Sequence, residues 1–172
     1  MFEKILVCLD GSNLATQIIP YASETGLRFG SKLILFKVIT GYITIPPPGV
    51  GYIFPPIRET GPGYSAAVED TRSIAEAELV EIENEEKEAM VYLEGIAKEL
   101  RDKGLNVETV TVHGKTDEAI VNYAEKNNID LITIATHGHS GIRRAVLGSV
   151  ADFVLRTSGI PVLMIKPLEK QG

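Results

Sequence analysis

At 172 residues the chain is long enough to bury a core of its own and short enough to be read as one domain. An apolar share of 44% and a charged share of 23% are ordinary globular values, while a net charge of −6 argues against a nucleic-acid surface, which needs a basic patch. The lone cysteine, Cys8, excludes an intrachain disulfide and any multi-cysteine metal site. It lies in the apolar run Ile5 to Leu9, where a reduced core residue is expected. Met1-Phe2-Glu3-Lys4 leads straight into that run, which is too short for a signal-peptide core or a membrane span. No membrane association is expected, and the cytoplasm is the expected compartment.

Ile5 to Leu9 reads as a first strand buried on both faces, followed by Asp10-Gly11-Ser12-Asn13, a turn rich in helix-capping side chains. Leu14, Ile18, Ala22 and Leu27 then keep helical spacing up to Gly30, and Pro20 is expected to bend this helix because it lacks one N–H. Leu33 to Ile39 is a second buried strand. A strand, helix and strand of these lengths make a right-handed parallel crossover.

Between Thr40 and Ser65 the composition changes. The stretch carries proline runs with Tyr42, Tyr52, Phe54 and Tyr64, too long for an ordinary connection and too apolar for a disordered linker. It leaves the end of the second strand, so a lid or partner-docking segment is expected, against the alternative of packing on its own domain or on a dimer mate. From Ala66 to Arg101 the chain is helical in character, with Ile74, Leu79, Ile82, Met90, Leu93, Ile96 and Leu100 as apolar anchors. One helix of that length would reach ~50 Å, so either a break or a projecting N-terminal end is expected. The acidic cluster Glu76, Glu78, Glu81, Glu83, Glu85, Glu86 and Glu88 is read as a solvated helical face.

Val107 to Val112 alternates with polar residues like a strand near a sheet edge, with His113 at its end, and Thr116-Asp117-Glu118 starts a helix running to Lys126. Leu131 to Ala135 is another buried strand, and Val162 to Ile165, after Gly159-Ile160-Pro161, is the last. Five strands alternating with helices give an α/β fold with an open, doubly wound parallel sheet.

The stretch from Asp130 to Ser149 concentrates the chemistry. A buried strand runs into a loop containing Gly138, Gly141 and Gly148, where the backbone can take φ > 0 and come close to a ligand, and Ser149 is read as the N-cap of a helix Val150 to Arg156. Free N–H groups and the helix dipole then point at one place, a site for an anion such as phosphate. His137 and His139 flank Gly138 but lack a third ligand nearby, so loop hydrogen bonding is expected of them rather than metal ligation. Arg143 and Arg144 are either solvated or reach a phosphate.

Gly138, the nine residues His139 to Leu147, and Gly148-Ser149 resemble the nucleotide loop of the universal stress protein family, whose ATP-binding members carry Gly, two residues, Gly, nine residues, then Gly-Ser or Gly-Thr. Ala135 stands where the first glycine would be. If that position needs φ > 0 the alanine costs roughly 1 kcal/mol; if it needs only a small side chain the cost is slight. The resemblance covers Val7 to Ser12, Leu35 to Val38, Val112 to Ile120 and Asp130 to Ile165, and leaves an insertion at about 41–73 within one domain.

That resemblance implies an adenine-nucleotide α-hydrolase-like sheet with strand order 3-2-1-4-5. In that order Leu9, Asp10, Ala135 and Thr136 flank the crevice where connections diverge to opposite faces. It further implies that adenine lies against Leu9, Asp10 and Val38, and that phosphates lie in Gly138-His139-Ser140 and at Gly148-Ser149-Val150. The implied ligand is ATP, or ADP or AMP, with Mg²⁺ held through the phosphates. A homodimer through the exposed last strand Val162 to Ile165 is also expected, together with a protein partner that the sequence does not specify.

The chain has no Walker pattern, no Ser-Gly-Gly-x-Asp-Ser phosphate loop and no nucleophile elbow, and neither a positioned base nor a charge clamp for hydrolysis is identifiable. The expected function is an ATP-binding regulatory or stress-response protein. A slow ATP-hydrolysing or phosphotransfer enzyme on the same loop and a nucleotide-free interaction module stay as alternatives.

Overall fold

A computed structural model describes residues 1–40, 63–136 and 147–168, with residues 63–79 described by their backbone alone. Strand β1 spans Lys4–Cys8, β2 Lys32–Ile39, β3 Asn106–His113, β4 Leu131–Ala135 and β5 Val162–Ile165. They form one parallel sheet in the order β3-β2-β1-β4-β5, as the sequence implied. Helix α1 covers Ile19–Phe29, α2 Gly63–Asp102, α3 Thr116–Lys126 and α4 Ser149–Thr157.

The continuous apolar runs of β1 and β2 follow from burial on both faces. Ile5, Val7, Leu33 and Leu35 pack under Ala22 of α1 and Leu93, Ala97 and Leu100 of α2. The alternate residues Leu6, Ile34, Phe36 and Ile132 pack under Ile120 and Ala124 of α3 and Ala151 and Val154 of α4. Each fully buried aliphatic side chain contributes about 1.5–3 kcal/mol, so the central strands carry most of the core. Thr133 is fully buried in β4, and its hydroxyl donates to the Leu6 carbonyl at 3.1 Å, which satisfies it.

Pro20 takes no hydrogen bond from the body of its helix. A short 3-10 turn, Ala15–Ile18, precedes α1, and Pro20 falls in the first turn of α1, where its missing N–H would have had no helical acceptor. Helix α2 runs unbroken for 40 residues. Among its described side chains the anchors are Ala89, Leu93, Ala97 and Leu100, whereas residues 80–88 are exposed apart from Ile82. Of the two expectations for this segment, the break is absent and an end standing clear of the core remains. Glu81, Glu83, Glu85, Glu86 and Glu88 lie on that exposed stretch. The Thr40 to Ser65 lid reading falls almost wholly outside the described residues.

The N-terminus is tied to the start of β4 by one carboxylate. Asp130 accepts the backbone N–H groups of Glu3 and Lys4, each at 2.9 Å, and its own N–H donates to the Lys4 carbonyl at 3.0 Å. Asp130→Ala should lower the unfolding free energy by about 2 kcal/mol, the scale for bonds to a charged acceptor. Urea titration with an unchanged slope is the measurement, and an unchanged midpoint would contradict it.

Candidate functional site

Connections from β1 and β4 leave on opposite faces of the sheet, α1 on one side and α4 on the other, so a crevice opens between their C-terminal tips. A cleft of about 720 Å³ occupies this place. Leu9, Asp10, Val38, Ala135, Thr136, Gly148, Ser149 and Val150, all singled out in the sequence, line it together. Gly138, His139 and Ser140 lie outside the described residues, as do His137, Gly141, Arg143 and Arg144.

One wall is the turn after β1. The Leu9 N–H donates to the Phe36 carbonyl at 2.9 Å, which carries the sheet pairing one residue past β1. The Asp10 carboxylate accepts the Ser12 N–H at 2.8 Å, and the Ser12 hydroxyl accepts the Ala15 N–H at 3.1 Å, so the capping side chains of this turn are engaged. Gly11 sits at φ +91°, a conformation that L side chains rarely adopt.

The opposite wall is the start of α4, where two expectations are corrected. The N-cap is Gly148, not Ser149, and Ser149 is the first helical residue, one position too late to cap its own helix. Gly148 has φ −59° rather than a positive φ. It must be glycine for another reason: a Cβ there would stand 2.5 Å from the Thr136 carbonyl oxygen, which accepts the Gly148 N–H at 3.0 Å. The first helical bond runs from Asp152 N–H to the Gly148 carbonyl, and Gly148, the N-cap, has no side chain with which to cap α4. The start of α4 therefore borders the cleft without a cap from its own N-cap residue, and the N–H groups of its first turn suit an anion. Ala135 ends β4, and Asn128 is the one non-glycine residue with positive φ among the described residues, so the alanine carries no left-handed strain.

Lys37, Tyr92 and Ala151, not selected as site residues from the sequence, are among the other residues that line the cleft. Lys37 interrupts the apolar run of β2, a signal that periodicity alone passes over. Its ammonium donates to the Asp10 carbonyl at 2.9 Å and lies 5.9 Å from the centre of the Tyr92 ring. The Tyr92 hydroxyl is buried without a hydrogen-bond partner among the described residues. Burial, followed by the Asp10 charge, pushes its pKa up to about 12, so it is a neutral donor at neutral pH. Glu85 and Glu88, on the free stretch of α2, complete this side.

Cys8 also reaches the cleft floor, but burial pushes its thiol up to about 12. Alkylation of the folded protein at pH 8 should therefore be at least about tenfold slower than that of the urea-unfolded chain, since thiolate is the reactive form. Equal rates by mass spectrometry would contradict the buried placement. No group of three His, Cys, Asp or Glu residues able to hold a metal ion occurs among the described residues. None of the described helices is long and apolar enough to cross a membrane.

Comparison with known proteins gives a consistent result. The chain is 26% identical to universal stress protein YxiE of Bacillus subtilis over 96% of its own length and 100% of that protein. It superposes on the structure of MJ0577, a universal stress protein of Methanocaldococcus jannaschii, with a TM-score of 0.75 and 26% identity, covering 99% of both chains. A universal stress protein solved in complex with cAMP shares the fold at a TM-score of 0.59 and 19% identity, over 96% of this chain and 97% of that one. The sequence model of the universal stress protein family matches residues 56–166, well over half of the chain. With the sheet order and switch-point cleft described above, that match assigns the chain to the universal stress protein family.

Proposed function

We propose that the protein binds an adenine nucleotide, ATP or its ADP or AMP forms, in the cleft between β1 and β4, and that it acts as a regulatory member of its stress-response family. The observation that carries this reading is the start of α4 at the cleft, approached so closely by Thr136 that its N-cap position 148 admits no side chain. The cleft volume of about 720 Å³ suits a ligand of nucleotide size. A structural relative with cAMP bound supports adenine as the base.

Asp10 and Val38 would face the nucleoside, while the N–H groups of Ser149 and Val150 would orient the phosphates, joined by Gly138, His139 and Ser140 on the sequence reading. Mg²⁺ would be carried mainly by the phosphates. The ion would offset phosphate charge near Glu85 and Glu88.

Mass spectrometry of nucleotide released from purified protein, then calorimetry with ATP and AMP on the stripped chain, tests this reading. The expected result is one adenine-nucleotide site per chain, weakened by Gly138→Val. No heat with either nucleotide at millimolar concentration would overturn it.

The same reading treats the chain as one domain with an insertion at about 41–73, in the cytoplasm, and as a homodimer paired through β5. The strand lies at the sheet edge, and all four of its residues are partly exposed. A symmetry mate would cover that edge. Sedimentation should show a dimer at micromolar concentration.

A further inference from the structure

We infer that Lys37 is a positioning residue of the cleft, holding the Asp10-Gly11 turn in the conformation that presents the Asp10 carboxylate to a nucleoside. The inference rests on the nucleotide reading above for what the carboxylate meets. The contacts themselves are structural.

Lys37 lies near the end of β2 on the face that carries α2, since its same-face neighbours Leu33 and Leu35 pack in the α2 cluster. Placing a half-buried ammonium there is costly unless its charge is compensated. Compensation comes from the Asp10 carbonyl at 2.9 Å and from the Tyr92 ring, whose centre is 5.9 Å away. The carbonyl is at the point where β1 has ended, beyond its paired residues, so the lysine supplies the donor that a neighbouring strand no longer does.

Asp10 is thereby fixed at both ends. Its backbone carbonyl accepts from Lys37, and its carboxylate accepts the Ser12 N–H at 2.8 Å. Gly11 depends on the same arrangement, because a Cβ at its φ of +91° would come within 3.2 Å of the lysine nitrogen. A side chain at position 11 would crowd the lysine nitrogen, and a shortened lysine would lose its bond to the Asp10 carbonyl. A residue that touches the turn and not the ligand should weaken every adenine nucleotide alike, whereas a direct phosphate contact would weaken ATP more than AMP.

The test uses the full chain with Lys37→Cys, measured before and after aminoethylation with bromoethylamine, which restores an ammonium on a side chain one sulfur different from lysine. Cys8 is buried with its thiol pushed up to about 12, so the new thiol reacts first. Unmodified Lys37→Cys should bind AMP and ATP each about tenfold more weakly than wild type, with amide exchange at Gly11 and Ser12 in the nucleotide-free protein about tenfold faster. Aminoethylation should restore both. Unchanged exchange at Gly11 and Ser12, failure of the ammonium to restore it, or a loss confined to ATP would overturn the inference. If wild type binds neither nucleotide, the functional reading falls by itself, and the exchange comparison still decides whether the lysine holds the turn.

Discussion

Gly148→Ala should lower stability by about 1–3 kcal/mol, the usual cost of forcing atoms into a filled site, and nucleotide affinity by at least about tenfold. The added methyl would meet the Thr136 carbonyl oxygen at 2.5 Å, and that atom is backbone at the end of β4, unable to swing aside as a side chain would. Relief requires opening the 3.0 Å bond between Gly148 and Thr136, which moves the first turn of α4 away from the crevice. Ser149→Ala next door is the control: its side chain is exposed and caps nothing, so it should change stability by under about 0.5 kcal/mol. Thermal unfolding and calorimetry on the two variants check the contrast. Equal effects would contradict the close approach of the Thr136 carbonyl as the reason for glycine at position 148.

Phe36→Ala should be the most damaging single truncation, costing about 3–5 kcal/mol. The ring is 1% exposed, stands 4.8 Å from the Tyr123 ring, and packs with Ile34 and Ile132 in the layer under α3 and α4. It also lines the cleft floor, and its own carbonyl holds the N–H of Leu9. Loss of the ring should therefore weaken ligand binding as well as folding. Val91→Ala on α2, exposed by 67%, should leave both unchanged. A midpoint shift in urea for Phe36→Ala no larger than that for Val91→Ala would contradict the layered core.

The strands were readable because a parallel sheet covered on both faces leaves continuous apolar runs, and β5 falls on Val162 to Ile165 as the periodicity indicated. The boundary of α4 was misread by one residue. Serine has the stronger capping propensity, but the approach of Thr136 excludes a Cβ at the capping position, and that is a distant contact no local rule contains. The expected break in α2 came from comparing its length with a small domain. Locally nothing forces a break, since even Gly95 within the helix has no atom within 4 Å of where its Cβ would be. Asp10, Val38, Gly148 and Ser149 were found through spacing and resemblance, whereas Lys37 and Tyr92 were missed. One is a single cation inside an apolar run and the other a half-buried aromatic on a helical stripe, and only the fold brings the Lys37 ammonium between the Asp10 carbonyl and the Tyr92 ring.

The sheet order also dictates a sequence of events in folding. β1 and β2 pair across one short helix, Lys4 opposite Lys32, whereas β1 meets β4 only when Ile5 finds Leu131. The Thr133 hydroxyl and its Leu6 acceptor are 127 residues apart along the chain. Closing a loop of that length costs entropy before any contact compensates, so the half containing β4, α4 and β5 should dock late and slowly. Because that cost grows only with the logarithm of loop length, about 0.6 kcal/mol per doubling, extra residues between β2 and α2 add little to the barrier. The central strand is thus completed last on the side that carries Gly148, and the cleft comes into existence at the final step of assembly.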